Sequence, residues 1–228
     1  MLLADLVARG AALAARRRAL LGITGSPGAG KTTLAVALAD ALRAELGPDA
    51  VAHVPMDGFH LADVALCRLG LLDRKGAPET FDAAGYVALL RRLREDTGDT
   101  VYAPMFERDP EQPLAGAIAV PPEVRLVVTE GNYLLLDEGR WRDVRAALDE
   151  VWFCDLHPDV RRERLTARHV AFGKAPAHAS SWVSAVDEPN AALVEATRER
   201  ADLIVPSTVL ERLAPSPQWG GSTPGQPQ

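Results

Sequence analysis

Lysine is nearly missing from this chain. Of its 25 basic residues only Lys31, Lys75 and Lys174 are lysines, so any motif that depends on lysine can be tested at three positions. Cysteine is scarcer still. Cys67 and Cys154 stand alone, in no CxxC or Cys/His spacing, which excludes a disulfide framework or a zinc knuckle and fits reduced thiols in a cytoplasmic protein. No apolar run approaches the ~18 residues of a membrane span. The N-terminal MLLADLVARGAALAARRRALLGI has helical apolar spacing, but Asp5 and Arg9 interrupt any signal-peptide core. Positive charge is also in deficit: a net charge of −6 argues against a basic face that tracks nucleic acid, though not against a local arginine cluster holding a small anion.

What is present reads as one α/β domain, residues 1–212, since 228 residues suffice for one well-buried core and are few for two. Helices are expected over 2–17, 30–46, from Asp82 to about Thr97-Gly98, over 158–172 and over 189–200. Strands are expected over 19–24, Val51–Met56, Val124–Thr129, Val151–Cys154 and Leu203–Val205. The strands are short and continuously apolar, as strands buried on both faces are. Alternating β and α units predict a five-stranded parallel sheet with helices on both faces. Arg16-Arg17-Arg18 reads as a solvated helix end. The tail from 213 to 228 is rich in Pro, Gly, Ser and Gln and is expected to be disordered.

The chemistry begins at Gly25-Ser26-Pro27-Gly28-Ala29-Gly30-Lys31-Thr32, with Thr33 following, between a strand and a helix. That context makes it a P-loop. Its glycines let backbone N–H groups turn toward phosphate oxygens, and the helix start adds a positive dipole end. Lys31 is expected to bridge the β- and γ-phosphates of ATP, and the Thr32 hydroxyl to ligate Mg²⁺. Gly25, Ser26, Gly28, Ala29, Gly30, Lys31, Thr32 and Thr33 form the expected nucleotide site.

Transfer to water, as in a regulatory NTPase, competes with transfer to another molecule. The guanine motif Asn-Lys-x-Asp is absent, because no lysine follows Asn or precedes Asp by two residues. Asp57, at the end of the second strand in Pro55-Met56-Asp57-Gly58-Phe59-His60, would project into the ligand crevice of an open parallel sheet. There it could take the proton of an attacking hydroxyl, or simply cap the next helix.

Asp57-Gly58-Phe59-His60, then Leu69 through Lys75-Gly76-Ala77-Pro78-Glu79 to Asp82, resemble the phosphoribulokinase/uridine kinase superfamily, nearest its bacterial-type pantothenate kinase branch. Glu130-Gly131-Asn132-Tyr133-Leu134-Leu135 also resembles its nucleoside/nucleotide kinase-like subfamily. The resemblance runs from about residue 20 to 205 and implies a P-loop kinase fold with a helical lid over about 158–178. It implies Asp57 as catalytic base, Glu130 as organiser of Mg²⁺, and Lys75 beside the acceptor. Among the lid arginines Arg161, Arg162, Arg164 and Arg168, it points to Arg164 and Arg168, four apart on one face, as partners of the transferring phosphoryl group. His169 stands where relatives often have Asp.

The family's Pro-x-Tyr-x-His-like acceptor segment corresponds to Pro104-Met105-Phe106-Glu107-Arg108, so Phe106 lacks a phenol hydroxyl and Arg108 brings a fixed charge. Both are candidate substrate residues. Phe106 could equally be a packing residue, and Arg108 a surface partner of Asp109. Tyr133, three residues after Glu130, is a further candidate. Trp141, Trp152 and Trp182 read as core or helix anchors, and His53, His157 and His178 as incidental. The expected partner is a small molecule bearing a hydroxyl (a nucleoside, a sugar or a pantothenate-like metabolite), with no nucleic acid and no membrane. A homodimer is left open.

Overall fold

The computed structural model describes residues 1–15, 17–95, 98–107 and 112–213. The readings placed on Arg16, Arg108, Asp109 and the tail from 214 onward lie outside the described residues.

Helix α1 (Leu3–Leu13) leads into β1 (Ala19–Thr24), α2 (Lys31–Leu46) and β2 (Val51–His53). Next come α3 (Asp63–Leu69), α4 (Ala83–Glu95) and a hairpin of β3 (Val101–Glu107) and β4 (Gln112–Val120). The chain continues with β5 (Leu126–Glu130), α5 (Arg142–Ala147), β6 (Glu150–Asp155), α6 (Pro158–Ala171), α7 (Pro176–Trp182) and α8 (Glu188–Glu195). It finishes with β7 (Leu203–Pro206) and α9 (Ser207–Leu213). The described residues form a five-stranded sheet in the order β2-β5-β1-β6-β7, every pair parallel.

Alternation along each strand loads both faces. In β1, Leu20 enters the layer under α4 and α5, while Leu21 and Ile23 enter the layer under α1, α2 and α9. In β6, Val151 and Phe153 face the first layer, and Trp152 and Cys154 the second. Such strands have no solvated side, and each buried Leu, Ile or Phe contributes on the order of 1.5–3 kcal/mol. The expected stripe of α4 (Tyr86, Leu89, Leu90, Leu93) is buried against the first layer. Its start is capped by the Asp82 carboxylate, which accepts from the Gly85 N–H at 2.8 Å.

Several boundaries differ from expectation. The first helix ends at Leu13, and Arg18 is buried rather than solvated, because its guanidinium donates to the carbonyls of Val124, Leu93 and Pro121. The second strand stops at His53, ahead of Pro55, and Met56–Phe59 form a 3₁₀ turn. The helix expected over 189–200 is continuous only to Glu195, since the Thr197 hydroxyl bonds back to the Val194 carbonyl at 2.7 Å. The hairpin was not anticipated: Pro104, Pro113 and Gly116 fall inside its strands and mask their pattern. No helix among the described residues is long and apolar enough to cross a membrane.

His53 ends β2 with its Nε2 buried and without a hydrogen-bond partner. Burial, with Arg43 adding to it, lowers its pKa to about 4. The unfolded chain binds this proton near pH 6.5 and the folded one only near 4, so stability falls as pH is lowered between those values. The stability lost over that range is about 3 kcal/mol. Urea denaturation at stepped pH should show this slope, and a His53→Leu variant should flatten it.

Candidate active site

The loop between β1 and α2 is held from three sides. Gly28 has φ +81°, and a Cβ there would lie 2.8 Å from Leu165 Cγ and 2.9 Å from the Arg161 carbonyl oxygen. Only glycine meets both demands. The same closeness shows that α6 sits directly on the loop. Arg161, 3% exposed, donates through Nη1 to the Pro27 carbonyl at 3.2 Å and through Nη2 to Glu188 Oε1 at 2.5 Å. From α8 the Glu195 carboxylate accepts a hydrogen bond from the buried Ser26 hydroxyl.

Lys31 opens α2, is 8% exposed and donates to the Ser26 carbonyl at 3.1 Å. Burial draws its pKa below the ordinary lysine value, while Glu130, Cys154 and Asp57 favour the charged form and Arg168 opposes it. A phosphate there would compensate the buried ammonium. Beside it the Thr32 hydroxyl donates to Glu130 Oε1 at 2.8 Å, uniting the start of α2 with the C-terminal end of β5. Burial raises the Cys154 thiol to about 12, which leaves it an inert core group.

Asp57 occupies the 3₁₀ turn that follows β2. Tyr86 bonds Thr129, whose hydroxyl donates to the Val54 carbonyl at 2.6 Å, and so fastens the strand ends beneath that turn. Gly58 packs so closely on the Pro104 carbonyl that a side chain would overlap β3. The His60 Nδ1 lies 2.8 Å from the Asp57 carbonyl oxygen, an acceptor, so this nitrogen carries the proton. Its ring sits 4.0 Å from Phe81 and 4.7 Å from Phe106, centre to centre. Lys75 pairs with Asp63 at 2.7 Å and lies over Phe106, 5.7 Å from the ring centre.

These groups converge on a cleft of about 210 Å³. Gly28, Lys31, Thr32, Asp57 and Glu130 line its floor, and Lys75, Phe106 and Arg168 its outer walls. Of the remaining candidates, Gly25 abuts Cys154, Ser26 and Ala29 are buried in the loop, and Thr33 is exposed on the first turn of α2. Arg164 does not line the cleft. Its Nη1 lies near Gly30, 3.7 Å from where a Cβ would stand. Tyr133 is brought beneath the cleft rather than into it: it is fully buried, and its hydroxyl donates to the Gly76 carbonyl at 2.5 Å. It thereby supports the loop that carries Lys75.

The cleft also includes residues that the sequence reading did not assign to it. His60 and Asn132 lay inside the quoted motifs and could have been found there. In the sequence His169 reads only as a departure in the lid and Trp182 only as an anchor, while Asp187 and Asn190 come from far along the chain and carry no local signal. Trp141 and Trp152 are core residues, as expected, but Trp182 borders the cleft, where Lys174 lies over its ring.

The sequence profile of the "Phosphoribulokinase / Uridine kinase family" matches residues 20–214. The chain belongs to that family. A Schizosaccharomyces pombe protein provisionally named a uridine kinase is 31% identical over 202 residues, covering 87% of this chain and 85% of its own. A pantothenate kinase from Leifsonia xyli subsp. xyli is 26% identical over 211 residues, covering 82% of this chain and 65% of its own. A crystal structure from Silicibacter sp. TM1040, provisionally named a fructose transport system kinase, superposes with a TM-score of 0.82 at 40% identity. It covers 90% of this chain and 100% of the other. The protein is thus a P-loop kinase, a phosphotransferase, built on a parallel five-stranded sheet.

Because Arg161 holds the P-loop from α6, its loss should loosen the loop. An Arg161→Met variant is expected to lose about 1.5–3 kcal/mol of stability, the worth of a charged hydrogen-bonding group. It should also bind nucleotide more weakly. Chemical denaturation and nucleotide titration on the same preparation check both effects.

Proposed function

We propose that this kinase transfers the γ-phosphate of ATP to a hydroxyl group of a small metabolite, with Mg²⁺. The observation that carries the reading is that the Asp57 carboxylate shares one cleft with Lys31 and with the Thr32–Glu130 pair. A cleft with a carboxylate opposite the phosphate-binding loop suits transfer to a hydroxyl, because that group must give up a proton as it attacks.

On this reading each residue has a separate task. Lys31 and the loop N–H groups hold the β- and γ-phosphates. Asp57 receives the acceptor proton as the oxygen bonds to the γ-phosphorus and the bond to the β,γ-bridging oxygen breaks, so that ADP leaves. Arg168 faces the cleft and can stabilise the transferring group, whereas Arg164 can reach phosphate near Gly30. The Thr32 and Glu130 oxygens are hard donors side by side, a set that fits Mg²⁺ together with nucleotide oxygens and water. When bound, Mg²⁺ would neutralise charge on the β- and γ-phosphate oxygens.

Of the segment read as a lid, 158–178, the first turns are fixed: Arg161 and Leu165 are buried on the P-loop. Closure on this reading is therefore confined to the part beyond Leu165.

Two variants and a screen test the proposal. Asp57→Asn should lower the transfer rate by roughly 10²–10⁴-fold, the span of a general base, with little change in nucleotide affinity. Single-turnover kinetics and nucleotide titration separate these quantities, and lost affinity with a retained rate would make Asp57 a structural or metal-holding residue. Lys31→Ala should abolish turnover while circular dichroism stays native; undiminished turnover would defeat the reading. Screening hydroxyl metabolites for acceptor-stimulated ADP release then identifies the substrate. ADP release indifferent to every acceptor would indicate a nucleotide-driven regulator.

A further inference from the structure

All three lysines of the chain stand around the cleft. Lys31 lies at its floor, and Lys75 and Lys174 line a second cavity of about 350 Å³ that opens from it. The two cavities share Lys75, Phe106, Arg168, His169 and Trp182. Among the described residues lining the outer one, Asp63 is the sole carboxylate, set against Lys75, Arg168 and Lys174. Asp187, on the wall of the inner cavity, pairs with His169 at 2.9 Å. A local excess of positive charge thus occupies a chain whose net charge is −6.

The two outer lysines come from segments about a hundred residues apart. Lys75 belongs to the loop before Pro78, is pinned by Asp63 and lies over Phe106. Lys174 belongs to the link between α6 and α7, after Gly173 at φ +90°, and lies over Trp182 with its Nζ 5.0 Å from the ring centre. At Lys174 the aromatic face beneath the ammonium positions the charge without neutralising it, whereas the Lys75 charge is shared with Asp63. Everywhere else in the chain a basic residue is arginine, whose fork suits bidentate pairing. A compact ammonium suits a single anionic oxygen group approached from two sides.

We infer that the outer cavity is the acceptor's anion subsite, and that the acceptor carries a carboxylate or phosphate group in addition to the hydroxyl that is phosphorylated. Lys75 and Lys174 hold that anion together, and Trp182 and Phe106 cover the carbon skeleton between it and Asp57. Lys174 and Trp182 are thereby specificity residues. The inference rests on the kinase reading for the direction of transfer, but the anion subsite itself does not depend on it.

The test is calorimetric titration of the full chain, loaded with a non-hydrolysable ATP analogue and Mg²⁺, using matched pairs of probes. Ribose 5-phosphate is compared with ribose, and glycerate with glycerol. In at least one pair the anionic member should bind about 10–100-fold more tightly, the range of a charged hydrogen bond, and the margin should shrink at high salt. The pair that shows it tells phosphate from carboxylate. Lys75→Gln and Lys174→Gln should each narrow the margin about tenfold, whereas Lys174→Arg should retain most of it. Equal binding within both pairs, no binding by any probe, or a margin that survives both glutamine variants overturns the inference. Repeating the titration with ATP separates the two claims. Anion binding without ADP release counts against transfer to the hydroxyl of that probe and leaves the subsite, while ADP release with the uncharged members alone removes the subsite and leaves hydroxyl transfer.

Discussion

A single buried ammonium organises the cleft of this molecule. Lys31 is enclosed at the start of α2, with one direct bond to the Ser26 carbonyl and with Glu130 and Asp57 as its nearby counter-charges. A cation taken out of water is costly unless opposite charge surrounds it. The sheet order β2-β5-β1-β6-β7 supplies that surrounding, because β1 delivers the loop while its neighbour β5 ends in Glu130 and the next strand, β2, leads to Asp57. The nucleotide's phosphates would complete the same balance. The strand order and the site therefore meet at one electrostatic requirement.

The second constraint is mechanical. A loop of small residues has little to hold it in shape, and here the hold comes from helices late in the chain. Arg161 and Leu165 of α6 press on Gly28, and Glu195 of α8 bonds Ser26. The helix read as a lid is thus partly foundation. This arrangement joins the P-loop to the wall that carries Arg168, His169 and Lys174, so that α6 connects the nucleotide end of the cleft with its outer cavity.

Placement of arginine and lysine follows the same division of labour. Buried arginines saturate backbone carbonyls, as Arg18 does with three of them and Arg161 with Pro27, because a planar fork can satisfy several acceptors at once. The three lysines line the two cavities, together with Arg168. The abundance of arginine alone would suggest only compositional bias, and the bonds of Arg18 and Arg161 show a structural use of the buried ones.

The P-loop and the parallel sheet were legible in the sequence because each is local, whereas Asp57, expected at a strand end, sits in the 3₁₀ turn beyond it. Glycine spacing, apolar runs of strand length and a carboxylate after a strand act through neighbours in the chain. The family resemblance extended this to Lys75 and Glu130, which the structure brings to the same cleft as Lys31. The hairpin escaped because its prolines break the strand pattern, and its stability comes from cross-strand pairing and from contact with the Asp57 turn. Tertiary structure alone decided that Tyr133 lies below the cleft, that Arg161 anchors the loop, and that Trp182 and Lys174 join Phe106 and Lys75 in lining the outer cavity. Those outcomes depend on how α6, α7 and α8 pack over the strand ends, and packing between residues a hundred positions apart leaves no periodicity in the chain to read.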